Sequence, residues 1–221
     1  MTTALSGFYA ITSEALCRDA AGLRPGVEAA LAGGARILQY RDKWTAPDRR
    51  PALARQLREA CRQAGALFIV NDDIELAAAC DADGVHLGRS DGSVASARRR
   101  LGDAAIVGVS CSGRVERAIE AQAEGASYAA LGRFFVSTTK PDAPPAELDA
   151  LRRARAALRI PLCAIGGITP DNAAPLIAAG ADMIAAVEGV FGRNADAAAM
   201  RAAAGRYAAL FSASRLQSPT S

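Results

Sequence analysis

The chain has 221 residues, of which about half are apolar and few aromatic, with a formal net charge of +3. A charge that small and dispersed excludes a nucleic-acid binder recognised by its basic face, and no apolar run approaches the roughly 18 residues of a membrane span. Met1-Thr2-Thr3-Ala4 lacks the basic-then-apolar pattern of a leader peptide, so the expected location is cytoplasmic.

Short apolar segments alternate with helical ones along the whole chain. Phe8 to Thr12 is expected as a first strand, and Val27 to Ala32 as the core of a helix ended by Gly33-Gly34. Ala35 to Tyr40 is the second strand, followed by a helix over Arg49 to Ala64. Leu67 to Val70 is the third, with a helix over Asp72 to Cys80; Gly84 to Leu87 is the fourth, with a helix over Val94 to Leu101. Ile106 to Ser110 is the fifth, then a helix over Val115 to Glu124. Tyr128 to Gly132 is the sixth, with a long loop before a helix over Glu147 to Leu158. Pro161 to Ile165 is the seventh, with Thr169 as N-cap and Pro170 at the first helical position. Met183 to Val187 is the eighth, with a helix from about Ala195 to Phe211. A polar tail follows from Ser212.

Eight strands each followed by a helix describe an α/β protein with one (β/α)8 TIM barrel, a single catalytic domain over residues 1–211. The rival, an open doubly wound sheet, more often carries a Gly-x-Gly-x-x-Gly after its first strand; here that strand ends in Ile11-Thr12-Ser13.

A barrel demands that the chemistry lie at the carboxyl ends of its strands. In Gln39-Tyr40-Arg41-Asp42-Lys43, alternation along a strand points Gln39, Arg41 and Lys43 the same way, a face suited to an anion. Asn71 and Asp72 end the third strand, Asp91 follows the fourth, and Ser110 ends the fifth. Ser137-Thr138-Thr139-Lys140 follow the sixth, Gly166-Gly167 the seventh, and Val187-Glu188 the eighth. Only two of the 26 basic residues are Lys, Lys43 and Lys140, and both fall on this rim. An ammonium is a compact point charge where guanidinium is a bulky fork, so the choice has meaning at a tight phosphate site.

Taken singly, Asp72 suits an N-cap and Asp91 a turn. Together, beside these cations, they suit Mg²⁺, which takes one or two carboxylates and completes its shell with water and substrate phosphate. Gly166-Gly167 ahead of a helix allows backbone N–H groups to approach a second phosphate. The long loop carrying Lys140 is a candidate lid. Arg98-Arg99-Arg100 is read as a solvated helix face. Five widely spaced cysteines with no Cys-x-x-Cys pair argue against a disulfide framework or a metal cluster. Cys111 is read as a buried thiol and His86, the only histidine, as structural. A site rich in cations and poor in bases favours charge stabilisation and positioning over proton transfer.

Gln39-x-Arg41-x-Lys43, Asn71-Asp72, Ala82-Asp83-Gly84-Val85-His86-Leu87-Gly88 with Asp91, Gly108-Val109-Ser110, Ser137-x-Thr139-Lys140-Pro141 and Ala164-Ile165-Gly166-Gly167-Ile168 together resemble the thiamine phosphate synthase family, in order and spacing over Phe8 to Gly192. The resemblance implies a transferase joining a hydroxymethylpyrimidine diphosphate to a thiazole phosphate. It implies that Gln39, Tyr40, Arg41, Asp42, Lys43, Asn71, Ser110 and Lys140 hold the pyrimidine diphosphate, with Arg41, Lys43, Ser110 and Lys140 catalytic. Asp72 and Asp91 would bind one Mg²⁺, and Ser137, Thr138, Thr139, Gly167, Val187 and Glu188 the thiazole phosphate. The partners implied are these small molecules, and the assembly left open is a homodimer. Two other readings stand beside it, a thiazole tautomerase on a similar barrel and a non-catalytic phospholigand-binding protein. Glu188 departs from the family's usual Ser, and a carboxylate facing a phosphate is unfavourable, so its side chain is expected to turn away.

Overall fold

The computed structural model describes residues 5–136 and 145–215. Its eight parallel strands close in chain order, β1 pairing with both β2 and β8. They are β1 (Gly7–Ile11), β2 (Ile37–Tyr40), β3 (Leu67–Asn71), β4 (Gly84–Leu87), β5 (Ile106–Ser112), β6 (Tyr128–Leu131), β7 (Leu162–Ile165) and β8 (Met183–Ala186). Every expected strand is present, with ends within about two residues of those expected. Around them run α1 (Glu14–Arg18), α2 (Leu23–Ala32), α3 (Arg50–Ala64), α4 (Ile74–Ala79), α5 (Val94–Leu101), α6 (Val115–Ala123), α7 (Leu148–Ala157), α8 (Ala174–Ala178), α9 (Glu188–Phe191) and α10 (Ala197–Arg215).

Alternation along each strand splits the core in two. Phe8, Ala10, Leu38, Val70, Val85 and Leu131 face the helices, where Phe8 stacks on Tyr207 of α10 with ring centroids 4.5 Å apart. Tyr9, Ile11, Ile37, Ile69, Tyr128 and Met183 fill the lumen as a separate cluster, so the barrel interior is packed.

Three expectations are corrected. Thr169 does not cap the eighth helix, nor is Pro170 its first residue: the Asn172 side chain accepts from the Thr169 N–H at 2.8 Å, closing a turn that delays α8 until Ala174. The last helix continues through Arg215, so the tail does not begin at Ser212. Arg98 is no solvated side chain. It donates to the carbonyls of Asp103, Ala105 and Gly125 and to the Ser127 hydroxyl.

Arg98 belongs to a recurring device at the amino-terminal foot of the barrel. Ser127 also accepts from the Val107 N–H at 3.0 Å, tying the start of β5 to that of β6. Asp83 does the same for β3 and β4, accepting from the Phe68 N–H at 2.7 Å and pairing with Arg58 of α3 at 3.3 Å. Asp182 does it for β7 and β8, accepting from the Leu162 N–H at 2.8 Å and pairing with Arg155 of α7 at 3.0 Å. In each case an arginine from the preceding helix braces the polar residue that joins an odd strand to the next even one.

Candidate active site

At the opposite end of the barrel a cleft of about 630 Å³ opens over the ends of β2, β3 and β4. Lys43, Asn71, Asp72 and Asp91 all line it. Four residues separated by up to 48 positions in sequence therefore meet at one place. Arg50 and Arg100 stand on its walls as well. Sequence reasoning missed both, because each lies on a helix where an arginine reads as ordinary surface. Arg100 is paired with Glu75 at 2.9 Å.

Asp72 sits just past β3 with φ of +65°, a left-handed conformation that Asp and Asn adopt more readily than other non-glycine residues. It does not cap α4: Asp73 does, accepting from the Leu76 N–H at 2.8 Å. The Asp72 carboxylate is thereby left free for the cleft, where Oδ2 lies 2.9 Å from Lys43 Nζ. Asp91 keeps its turn role, accepting from the Gly88 N–H at 2.8 Å and from the Ser90 hydroxyl at 3.2 Å. The same carboxyl reaches Asp72. Burial, with the Asp91 contact adding to it, pushes the Asp72 carboxyl up despite Lys43. At Asp91 burial acts in the same direction, but hydrogen bonding by Asp72, the Gly88 N–H and Ser90 outweighs it and holds the group down.

Two carboxyls pressed together in an open cleft, with Asn71 alongside, form a set of hard oxygens that fits Mg²⁺. Among the described residues no cluster of three or more His, Cys, Asp or Glu side chains forms a metal site, so any ion there would rely on water and substrate oxygen for the rest of its shell.

The strand ends at Tyr40, so the expected alternation through Lys43 holds only for Gln39 and Tyr40, and of the loop beyond it Asp42 and Lys43, not Arg41, line the cleft. Gln39 points into the lumen and is nearly buried, while Tyr40 points into the helical layer. Arg41 is pinned by its backbone, its N–H donating to Thr12 Oγ1 at 2.8 Å, while its guanidinium lies over the Trp44 ring at 5.4 Å. Asp42 turns inward, accepting from the Tyr40 hydroxyl at 2.7 Å and from the N–H groups of Trp44 and Thr45 at 3.0 and 2.9 Å. Burial opposes ionisation there, but these donors win and hold the carboxyl below its ordinary value. Asp42 thus shapes the loop that presents Arg41 and Lys43.

Across the rim, Ser110 lies within β5 and is half-buried. Gly166 and Gly167 both have positive φ, +102° and +64°. A Cβ on Gly167 would lie 2.3 Å from the Val136 carbonyl oxygen, so no larger residue fits this crossing. Val187 follows β8 as the N-cap of α9, and the exposed Glu188 opens that helix. Partial burial is the main reason the Glu188 carboxyl lies above its ordinary value, with Arg193 pulling it back and Glu14 adding to the rise. Ser137, Thr138, Thr139 and Lys140 lie outside the described residues, as does the candidate lid they belong to. His86 projects from β4 and places Nδ1 2.9 Å from the Tyr128 hydroxyl.

A closed (β/α)8 barrel that gathers carboxyls, a lysine and arginines at its carboxyl-end rim is an enzyme scaffold suited to anionic substrates. The comparisons make the class specific. The family model described as thiamine monophosphate synthase matches residues 8–190. The thiamine-phosphate synthase of Alcanivorax borkumensis is 51% identical over 211 residues, covering 96% of each chain. That of Chromobacterium violaceum is 52% identical over 209 residues, covering 95% of this chain and all of its own. Among solved structures, the thiamine phosphate pyrophosphorylase of Pyrococcus furiosus superposes with a TM-score of 0.82 at 32% identity, covering 94% of this chain and 96% of that one. The chain belongs to the thiamine monophosphate synthase family. The transferase reading is the one these relatives carry; neither the tautomerase nor the non-catalytic binder draws support from them. Among the described residues no helix is long and apolar enough to cross a membrane.

Proposed function

We propose that the chain condenses an aminopyrimidine carrying a methyl diphosphate with a thiazole phosphate, giving thiamine phosphate and free diphosphate. The observation that carries this reading is the meeting of Lys43, Asn71, Asp72 and Asp91 in one cleft. Asp72 and Asp91 would hold Mg²⁺, which when bound neutralises charge on the diphosphate. Arg41 and Lys43 clamp the same group, lowering the cost of its departure with the bonding electrons. Gln39 orients the pyrimidine, Ser110 lies over it, and Asn71 helps to hold the diphosphate. The step is dissociative: the methylene–oxygen bond breaks first, diphosphate leaving with the bonding electrons, and the thiazole nitrogen then gives its lone pair to the resulting methylene cation to form the carbon–nitrogen bond. No general base is required, which suits a chain whose one histidine lies in the lumen beneath the rim. The thiazole phosphate is assigned to Ser137, Thr138, Thr139, Gly167 and the backbone of Val187 and Glu188, with Lys140 reaching the diphosphate. The reaction is assigned to the cytoplasm, to the single barrel domain with its last helix through Arg215, and to a homodimer.

Incubating the purified protein with both phosphates and Mg²⁺ tests this. Thiamine phosphate and diphosphate in equal amounts are expected. Stable binding of the pyrimidine diphosphate without turnover, or isomerisation of the thiazole alone, would replace this reading with one of its rivals.

A further inference from the structure

Beneath the rim a chain of hydrogen bonds crosses the barrel lumen. Gln39 Nε2 of β2 donates to the Tyr9 hydroxyl of β1 at 2.8 Å, and the Tyr9 and Tyr128 hydroxyls lie 2.9 Å apart. The Tyr128 hydroxyl, from β6, lies 2.9 Å from Nδ1 of His86 on β4. Four strands thus contribute to one line of polar atoms in an otherwise apolar interior. The fold makes room for it at Gly108, where a Cβ would come within 2.1 Å of Tyr128 Cζ.

Counting protons along this line shows that its two ends are linked. Both phenols are fully buried, and burial drives each well above its ordinary range, so each carries its proton. Each hydroxyl therefore donates one bond. If Nδ1 of His86 is bare, Tyr128 donates to it, Tyr9 donates to Tyr128, and Gln39 Nε2 donates to Tyr9. Every proton is then placed. If Nδ1 carries a proton, the line reverses: His86 donates to Tyr128, Tyr128 to Tyr9, and Tyr9 must donate to Gln39. That requires the amide to turn so that Oε1 faces Tyr9. A mismatch between the two ends strands a buried hydroxyl proton without an acceptor, which the fold disfavours. The tautomer of His86 and the orientation of the Gln39 amide are one variable, and the observed donation from Nε2 matches a bare Nδ1.

An amide held this way leaves Oε1 as an acceptor and one N–H as a donor. An aminopyrimidine edge offers the complement, an amino donor beside a bare ring nitrogen. The corresponding oxo-pyrimidine offers the reverse, a carbonyl beside a ring N–H. A freely turning amide would serve both edges, but a fixed one pairs with the first and meets the second like to like. We infer that His86, Tyr128 and Tyr9 are positioning residues that lock the Gln39 amide and so make the site select amino- over oxo-pyrimidine. This rests on the proposed role of Gln39 toward the pyrimidine.

The test compares kcat/KM for the amino- and oxo-pyrimidine diphosphates in the wild-type chain and in Tyr9→Phe. The wild type should prefer the amino substrate by about 100-fold or more, since two polar contacts are mismatched on the oxo edge. In Tyr9→Phe that preference should fall about tenfold or more, mainly through KM, with kcat for the amino substrate within about threefold. A folded Tyr9→Phe with unchanged preference overturns the inference. Should the variant not fold, ¹⁵N NMR of the wild type decides, because His86 is the only histidine and its two ring nitrogens are read without overlap. A bare Nδ1 and a protonated Nε2 support the lock, and a protonated Nδ1 sinks it. Wild-type protein that makes no thiamine phosphate from the amino substrate would instead refute the proposed function and leave the tautomer to be read independently.

Discussion

Replacing Asp72 with Asn separates the chemistry of the cleft from its architecture. Asn tolerates the left-handed backbone at φ of +65° almost as well as Asp, so the turn after β3 survives, whereas Ala there would add strain. The lost ion pair with Lys43 spans 2.9 Å, but the lysine side chain is 55% exposed and the aspartate 27%. A pair that open contributes about 1 kcal/mol or less, and relief of the crowding against Asp91 offsets part of that. The melting temperature should therefore move by no more than about 4 °C. Turnover should respond differently, because the substitution removes a full negative charge from one of the two carboxyls proposed to hold Mg²⁺ beside the leaving group. A loss of about 100- to 1,000-fold in kcat is expected, the usual cost of removing one preorganised electrostatic contact. The assay is steady-state diphosphate release across a Mg²⁺ titration, with thiazole phosphate affinity measured by calorimetry. The half-saturating Mg²⁺ concentration should rise while that affinity stays within about threefold. Turnover within threefold of wild type, or a parallel loss of thiazole phosphate affinity, would refute the assignment.

Other outcomes follow from the same geometry. Asp42 has its carboxyl lowered on folding, so its contribution to stability is complete above its unfolded value near about 4 and is lost as pH falls through the lower folded value. Asp42→Asn should flatten the acid limb of a stability-versus-pH curve measured by urea melts, and an unchanged limb would count against the loop-shaping role. All five cysteines are buried, with burial pushing Cys17 and Cys61 up to about 12 and Cys80 and Cys111 up to about 11. Iodoacetamide at pH 8 should leave the native chain unlabelled by mass spectrometry while the urea-unfolded chain takes up five groups; rapid native labelling of Cys111 would reopen its reading as a nucleophile. Gly108→Ala forces a methyl group against the Tyr128 ring and should destabilise the barrel by about 1–3 kcal/mol in the same melts, whereas a neutral effect would mean that the ring is not fixed across β5.

The strands were legible because each is a short apolar run bounded by glycine or polar residues, and their order alone implies closure. The rim residues were legible because a barrel fixes where strand ends must point. What escaped has identifiable causes. Asn172 competes with the helix backbone for the Thr169 N–H, a local bargain that a Thr-Pro cap pattern conceals. The short α1 and α9 are too brief to show a period. Arg98 and Arg100 look alike in sequence, yet one holds the foot of the barrel and the other faces the cleft, since residues two apart on a helix lie on different sides. The lumen chain of Gln39, Tyr9, Tyr128 and His86 joins four strands, and no spacing along one strand announces it.

The arginine-braced joints at the foot divide the barrel into staves bound in pairs, β3 with β4, β5 with β6 and β7 with β8. Within the pairs, the carboxyl ends of β3, β5 and β7 carry Asn71-Asp72, Ser110 and Gly167, and both flanking strands are tied below. The segments between pairs are different: they follow β4, β6 and β8, and they carry Asp91, the Ser137 to Lys140 stretch and Glu188. At the foot these seams are held through the backbone, Ile106 N–H donating to the Asp83 carbonyl at 2.8 Å, Ala129 N–H to that of Pro161 at 3.1 Å and Gly7 N–H to that of Asp182 at 2.9 Å, rather than through an arginine-braced side chain. The braces therefore sit at the far end of the barrel from every loop that carries the chemistry, so insertions can retune those loops without touching the joints that hold the staves together.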